Sequence, residues 1–448
     1  MKTRPISRRC FLGTGAALAA PLIIPASVLG RTPIPPSQRI NLGIVGLGGN
    51  GMSSLKNFLA HEDVQVVAVC DVDRAHSRDK SRSNKFTFGR EPALRLVESF
   101  YAEKKPSGKF KGCDAYIDFR ELCAREDIDA VAVSTPDHWH ALCTLEALRS
   151  GKDVYCEKPI THLFAEGQAV CREATKRNAI FQTGSQQRSQ IRFRVAAEAV
   201  RNGLIGKVRR VEIGLPPGYK NPLVEPSTPT AIPENLDYDR WCGPSEKLPY
   251  VFARHHRNWR WHSAFGGGQL MDWIGHHNDI AHWGLGMDQS GPETVQAVGW
   301  TWPETTVYNT PVDYEVRCTY PGGIESTISN RHARGTKWIG DDGWIYVDRN
   351  AIEASNREWI AEKSNRGPMK LEISLDHRRN FLDGIRSRKP CIAPAQTGHR
   401  SITPGHLAIV SQTIGRKLHW DPDTETVIND ETADQMLKSL SYRDPWAL

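Results

Sequence analysis

Ile40-Asn41-Leu42-Gly43-Ile44-Val45-Gly46-Leu47-Gly48-Gly49-Asn50-Gly51 decides how the first part of the chain folds. Ile40 to Val45 is apolar enough to be a buried strand. Gly46, Gly48 and Gly51 then form a G-x-G-x-x-G run. A second apolar stretch, Val64 to Cys70, ends at Asp71, 20 residues past Gly51. Strand, glycine turn, helix, strand and acid, in that order, make a dinucleotide-binding arrangement. Gly46 permits the tight turn, Gly48 leaves the backbone open to a pyrophosphate, and Gly51 lets the helix sit close to the strand. Gly49 and Asn50 begin that helix, whose N-terminus offers unpaired N–H groups and a positive dipole end to the phosphates. Asp71 can accept hydrogen bonds from both ribose hydroxyls. A carboxylate there repels a 2′-phosphate and favours NAD, while Arg74 and Arg78 keep NADP open.

The pattern continues to about residue 184. Ile128 to Ser134, Asp153 to Cys156 and Ile180 to Thr183 read as strands, separated by helical stretches at Trp139 to Arg149 and Ala165 to Arg177. Strands alternating with helices predict a parallel, doubly wound α/β sheet over residues 38–184. Lys80 to Gly112 is basic and reads as a solvated insertion with one helix, Pro92 to Glu103. Beyond Gly184 strands follow one another quickly: Val208 to Ile213, Thr294 to Trp300, Tyr314 to Tyr320, Ile324 to Ser329 and Trp344 to Val347. They predict a second α/β domain, residues 185–448, built on a large and mostly antiparallel sheet. Pro216 to Pro249 reads as a long loop, and helices are expected at Ser374 to Arg386 and Pro404 to Arg416.

The first thirty residues read as an address. Arg8-Arg9-Cys10-Phe11-Leu12 precedes an uncharged, weakly apolar segment, Gly13 to Leu29, the layout of a twin-arginine export signal. It predicts a periplasmic protein exported folded, with its cofactor seated, and therefore tightly held. The segment is too short and too rich in Gly, Ala and Pro for a stable membrane span. Four of the positive charges lie there, so most of the chain's formal +7 is explained locally and nothing argues for nucleic acid. The 10 cysteines show no metal spacing. Folding before export favours reduced thiols, with one bridge left open.

Three further stretches can carry chemistry. Ser134-Thr135-Pro136-Asp137-His138-Trp139-His140 follows a buried strand, where the carboxyl ends of strands line the ligand crevice. Ser134, Thr135, Pro136, His138 and His140 are candidate cofactor contacts, and Asp137 is a candidate helix cap. Glu157-Lys158-Pro159 follows the next strand end. There Lys158 can donate to a substrate hydroxyl and lower its pKa, with Glu157 beside the cofactor. In Gly266 to Asp279, Asp272 and His276 are four apart and share a helix face. Such an Asp fixes the tautomer of its His and makes it a base. The alternative is a metal site from Asp272, His276, His277, Asp279 and His282, or a structural network. Arg188 either holds substrate oxygens or pairs with an acid at the domain joint. Trp259-Arg260-Trp261 offers a stacking face and a bidentate donor for a sugar, or is core; His277 is a third candidate substrate contact.

GIVGLGGNG, CDVD, STPDHWH, EKP and the GG-xxx-D-xxx-H of Gly267 to His276 occur in that order from about Ile40 to Trp446. Together they resemble the glucose-fructose oxidoreductase and inositol dehydrogenase family, in its exported twin-arginine branch. The resemblance implies an N-terminal Rossmann domain and a C-terminal α/β domain whose open sheet mediates homodimers or homotetramers. It assigns Lys158, Asp272 and His276 as the catalytic group and implies a sugar or polyol substrate. Three functions follow: NAD(P)-dependent oxidation of a sugar, polyol or glycoside; redox-neutral glycoside hydrolysis, elimination or epimerisation by transient oxidation; and sugar binding over a structural nucleotide, against which the intact catalytic set argues.

Overall fold

The computed structural model describes residues 34–35, 38–77, 87–361 and 366–448. The export segment and Arg78 lie outside the described residues.

The first sheet has six parallel strands in the order β3-β2-β1-β4-β5-β6. They are β1 (Ile40–Val45), β2 (Val64–Cys70), β3 (Asp114–Tyr116), β4 (Ala130–Val133), β5 (Asp153–Cys156) and β6 (Phe181–Thr183). Apart from the exposed edge strand β3, their residues are nearly all buried on both faces because helices cover both, which is why these strands read as continuous apolar runs. The strand order reverses between β1 and β4, whose register sets Val45 opposite Val133. A doubly wound sheet opens its ligand crevice at such a reversal. The glycine turn after β1 and the Ser134–Pro136 loop after β4 flank it.

The second sheet has nine strands in the order β13-β12-β11-β7-β10-β9-β8-β14-β15. They are β7 (Val208–Gly214), β8 (Thr294–Val298), β9 (Glu315–Tyr320), β10 (Ile324–Ser329), β11 (Gly335–Gly340), β12 (Trp344–Val347), β13 (Ile352–Ala354), β14 (Leu418–Asp421) and β15 (Thr426–Val427). Every pairing is antiparallel except β7 with β10. Helices Gly268–Leu285 and Ala395–Ile414 cover one face, burying Trp338, Val316 and Val295.

The halves are interlocked. Phe381 and Leu382 of helix His377–Ser387 lie in one apolar cluster with Phe58, Tyr155 and Ile180 of the first domain. Trp446 meets Trp139 edge to face at 4.8 Å. Late segments of the chain therefore complete the core of the first domain. None of the described helices is long and apolar enough to cross a membrane.

Candidate functional site

A cleft of about 600 Å³ runs from the glycine turn to the second sheet. Gly46 has φ +86, and a Cβ there would lie 2.5 Å from the Thr135 nitrogen. At Gly51 a Cβ would lie 1.9 Å from the Gly46 carbonyl oxygen, so the helix reaches its distance from the turn only through glycine. Gly48 is the N-cap of helix Gly49–Leu59, and a Cβ there would meet nothing within 4 Å. Its open side faces the cleft, as a phosphate contact requires. Asp71 Oδ2 accepts from the Leu47 amide at 2.6 Å and Oδ1 from the Asp73 amide at 2.8 Å. Burial raises its pKa, partly offset by His76 and these amides. Two bonds leave lone pairs free on both oxygens, so the fixed carboxylate suits the ribose diol. Glycine cradle and acid together fit a nicotinamide dinucleotide.

Ser134, Thr135, Pro136, His140 and Glu157 line the same cleft. Glu157 is positioned by Gln186, which donates to it at 2.9 Å. His140 spans the carbonyls of Pro159 (2.6 Å) and Thr135 (3.0 Å). Burial pushes its pKa down to about 4, so it is neutral and donates to one of them at a time. His138 does not reach the cleft. It bonds the Trp241 carbonyl at 2.9 Å and the Phe265 carbonyl at 3.4 Å, tying the first domain to the second. Its expected cofactor contact is replaced by a structural one.

Lys158 and helix Gly268–Leu285 meet across the domain joint. Lys158 Nζ donates to the Asp272 carboxylate at 2.9 Å and to its carbonyl at 2.7 Å. Arg260 Nε donates to the same Oδ1 at 2.9 Å. Burial would raise the Asp272 pKa; the Lys158 and Arg260 charges outweigh it and hold the carboxyl well below the usual carboxylate range. His276 lines the cleft one turn along, and its Nδ1 is buried without a hydrogen-bond partner among the described residues. Burial, then the Lys158 and Arg349 charges, keep its pKa well below the ordinary imidazole value. Asp272 and His276 do share a helix face, but the expected bond between them is absent. Asp272 orients the lysine, because two cations claim its oxygen, and His276 is a neutral acceptor.

Arg188 and His277 do not line the cleft. Arg188 is 2 % exposed and donates to Asp279 at 2.8 and 2.9 Å and to Asp288 at 2.6 Å. Its reading as a substrate contact gives way to the acid pairing at the domain joint. Even so paired, Asp279 is pushed up to about 6 by burial, against the pull of Arg188. Arg188→Met therefore strands a buried carboxylate and is expected to cost about 3–5 kcal/mol of folding stability. Denaturant unfolding measures it; a loss under about 1 kcal/mol sinks the assignment. His277 lies against Trp273, rings 5.5 Å apart and 22° from parallel. The metal alternative also fails geometrically, since Asp279 faces Arg188, His282 bonds the Tyr320 hydroxyl at 2.8 Å, and Asp272 holds two cations. Among the described residues the one His/Asp grouping close enough for a metal is Asp73, His76 and His256. His76 and His256 stack there with planes 10° apart, which directs their in-plane lone pairs side by side rather than toward one ion.

Asp137 was expected to cap a helix. It is instead the first residue of helix Asp137–Arg149, makes no cap bond, and lies buried on the cleft wall. Burial pushes its pKa up to about 8, with the Asp272 charge adding to the effect and Arg260 opposing it. The cleft thus holds a carboxylic acid that keeps its proton at neutral pH. Tyr219, Arg334 and Arg349, which belong to no sequence motif, also line the cleft, as does Trp273 next to Asp272. The nine described cysteines are all free, consistent with reduced thiols.

Residues 40–185 match the family described as "Oxidoreductase family, NAD-binding Rossmann fold", and residues 190–448 match its "C-terminal alpha/beta domain". Among curated proteins, the alpha-N-acetylgalactosaminidase of Shewanella oneidensis is 27% identical over 224 residues, 45% of this chain and 44% of that protein. A glycosyl hydrolase family 109 protein of Saccharopolyspora erythraea is 31% identical over 225 residues, 46% and 45% of the two chains. The matched regions thus span less than half the length of these relatives. Among solved structures, aldose-aldose oxidoreductase from Caulobacter crescentus complexed with glycerol aligns with TM-score 0.59 and 19% identity, covering 85% of this chain and 99% of that one. The WlbA dehydrogenase from Bordetella pertussis in complex with NADH and UDP-GlcNAcA gives TM-score 0.60 and 16% identity, over 86% and 100%. At these identities the structures share the fold.

Proposed function

The chain belongs to the glucose-fructose oxidoreductase and inositol dehydrogenase (Gfo/Idh/MocA) family of NAD-binding oxidoreductases, and from that membership we propose that it oxidises a hydroxyl of a sugar, polyol or glycoside. The observation that carries the reading is Lys158, held on Asp272 across the domain joint with His276 on the same wall of the nucleotide cleft. Bound NAD supplies a hydride acceptor. Lys158 donates a hydrogen bond to the reacting oxygen and stabilises the negative charge that grows there. His276, neutral through burial and neighbouring cations, accepts the hydroxyl proton. Asp272 fixes the position of the ammonium group.

A second reading, redox-neutral cleavage of a glycoside, draws support from Asp137 and from the names of the curated relatives. A ring ketone acidifies the neighbouring C–H and opens elimination of the glycosidic oxygen. In this reading Asp137, on the cleft wall and still protonated at pH 7, gives its proton to that leaving oxygen. The twin-arginine motif supports export with a retained cofactor, and the family resemblance supports a homo-oligomer.

The test is protein purified after cytoplasmic expression, with nucleotide released by denaturation and quantified. Intact protein is then incubated with a panel of glycosides and free sugars, without added cofactor, and products are weighed by mass spectrometry. Loss of two hydrogens, limited to the amount of bound NAD, supports net oxidation. Free aglycone over many turnovers, falling as pH rises through about 8 as Asp137 loses its proton, supports cleavage. No product from any member, with NAD added, rejects both.

A further inference from the structure

We propose that the cleft carries a receptor for an anionic group on the sugar, a carboxylate or a sulfate ester, formed by Arg334 and Arg349 beside Trp273. The proposal rests on the reading of the cleft as a carbohydrate site and names the substrate class it takes.

The register of the second sheet brings the two arginines together. β11 and β12 pair antiparallel with Thr336 opposite Val347. Arg334 lies two residues before Thr336 and Arg349 two residues after Val347, so both leave the same end of the pair. Their guanidinium carbons lie 5.4 Å and 4.8 Å from the centroid of the Trp273 ring. All three residues line the cleft.

No ion pair among the described residues neutralises them. Lys158 and Arg260 share the Asp272 carboxylate, but neither Arg334 nor Arg349 has an ion pair among the described residues. The adjacent Asp348 spends Oδ1 on the amides of Asn350 and Ala351. The Gln187 amide, turned to donate to the His276 carbonyl, sets its oxygen 3.2 Å from Arg349 Nε; this is a neutral contact. Beneath Trp273, His277 is neutral and adds no third positive charge, because burial together with Arg349 and Arg334 pushes its pKa down to about 3. Two like charges held over one indole are mutually repulsive, and Arg349 is correspondingly held below its ordinary pKa by desolvation and by Arg334, against the pull of Asp272. An oxyanion relieves both costs, and two planar guanidinium forks match its geometry.

The location excludes the cofactor as the source of that charge. The phosphates belong at the Gly46–Gly51 turn, and a 2′-phosphate would lie beside Asp71, on the first domain. Arg334 and Arg349 come from the second sheet and neighbour His276. Arg349 is one of the charges that depress the His276 pKa, so an anion seated on the pair also restores basicity to the proposed acceptor.

The experiment uses full-length, NAD-loaded protein and matched probes: methyl glucoside, methyl glucuronide and methyl glucoside 6-sulfate, each as α and β anomers, with the galacto series alongside. Dissociation constants come from calorimetry and kcat/KM from product mass. At least one anionic probe is expected to exceed its neutral partner by roughly 30-fold or more in affinity, the scale of one or two charge-assisted hydrogen bonds. In the Arg334→Gln/Arg349→Gln double variant that ratio should fall toward one and lose its salt dependence. The uronate and sulfate arms identify which oxyanion is preferred. A variant that weakens neutral and anionic probes equally has only loosened Trp273, and overturns the proposal. So does wild-type protein that binds every anionic probe no better than its neutral partner. If anionic probes bind through the arginines yet nothing is oxidised or cleaved, the receptor stands and the proposed function fails.

Discussion

Lys158→Met is expected to lower turnover by about 10³-fold while bound NAD stays in place. In the proposed reaction its ammonium is the donor to the reacting oxygen, and acid–base and charge-stabilising groups of this kind contribute on the order of 10²–10⁴-fold. The substitution is structurally mild, because Asp272 keeps its 2.9 Å bond from Arg260 and the methionine stem fills the space. Asp272→Ala is not mild, since it leaves Lys158 and Arg260 as neighbouring cations without their shared anion. His276→Ala should cost on the order of 10²-fold or more. If both groups act on one oxygen, the double variant falls far short of the product of the single effects. Turnover is followed by product mass and nucleotide by release on denaturation. Turnover of Lys158→Met within tenfold of wild type contradicts its role, and simultaneous loss of NAD makes the lysine a cofactor anchor instead.

Gly48→Ala should leave folding stability unchanged and weaken NAD by on the order of 10²-fold or more, equivalent to one or two lost charge-assisted hydrogen bonds. Its φ of -68 suits alanine, and the added Cβ meets nothing within 4 Å among the described residues beyond its chain neighbours. A pyrophosphate crossing Gly48 would meet it. Gly51→Ala differs, because its Cβ would lie 1.9 Å from the Gly46 carbonyl oxygen and must displace the turn itself. It should lose stability and nucleotide together. Thermal unfolding with and without NAD separates the two. A Gly48→Ala protein that retains NAD like wild type means that the pyrophosphate does not cross Gly48.

Sequence pattern reached the first sheet because buried parallel strands are apolar throughout, and β1 and β2 fall at the residues their composition marks. β3 escaped because Asp114–Tyr116 is an edge of three residues with little burial. In the second sheet β7, β8, β9, β10 and β12 were legible, whereas β11, β13, β14 and β15 are short or broken by glycine and charge. The parallel contact of β7 with β10 has no local signature at all. Pro404 reads as a helix start, yet it lies inside Ala395–Ile414, where burial on nearly every side outweighs the missing N–H. The site divides in the same way. Gly46, Gly48, Asp71 and Lys158 line the cleft, and their neighbours in sequence single them out. Asp137 looks like a cap until burial is known, and Arg334 and Arg349 become a pair only through strand register. The Asp272–His276 pairing failed because helical spacing puts two groups on one face without saying which charge reaches the carboxylate first.

Phe381 and Leu382 close the core around Phe58 and Tyr155, and Trp446 rests on Trp139. The boundary near residue 185 is therefore one of sheet architecture and not of folding autonomy. A fragment ending there would lack the Phe381 and Leu382 cover over Phe58 and Tyr155 and the Trp446 contact on Trp139, so the nucleotide half is expected to reach its full stability only once the last segment has been made. Fusions or chimaeras cut at that point would need to carry residues 377–448 along with the nucleotide half.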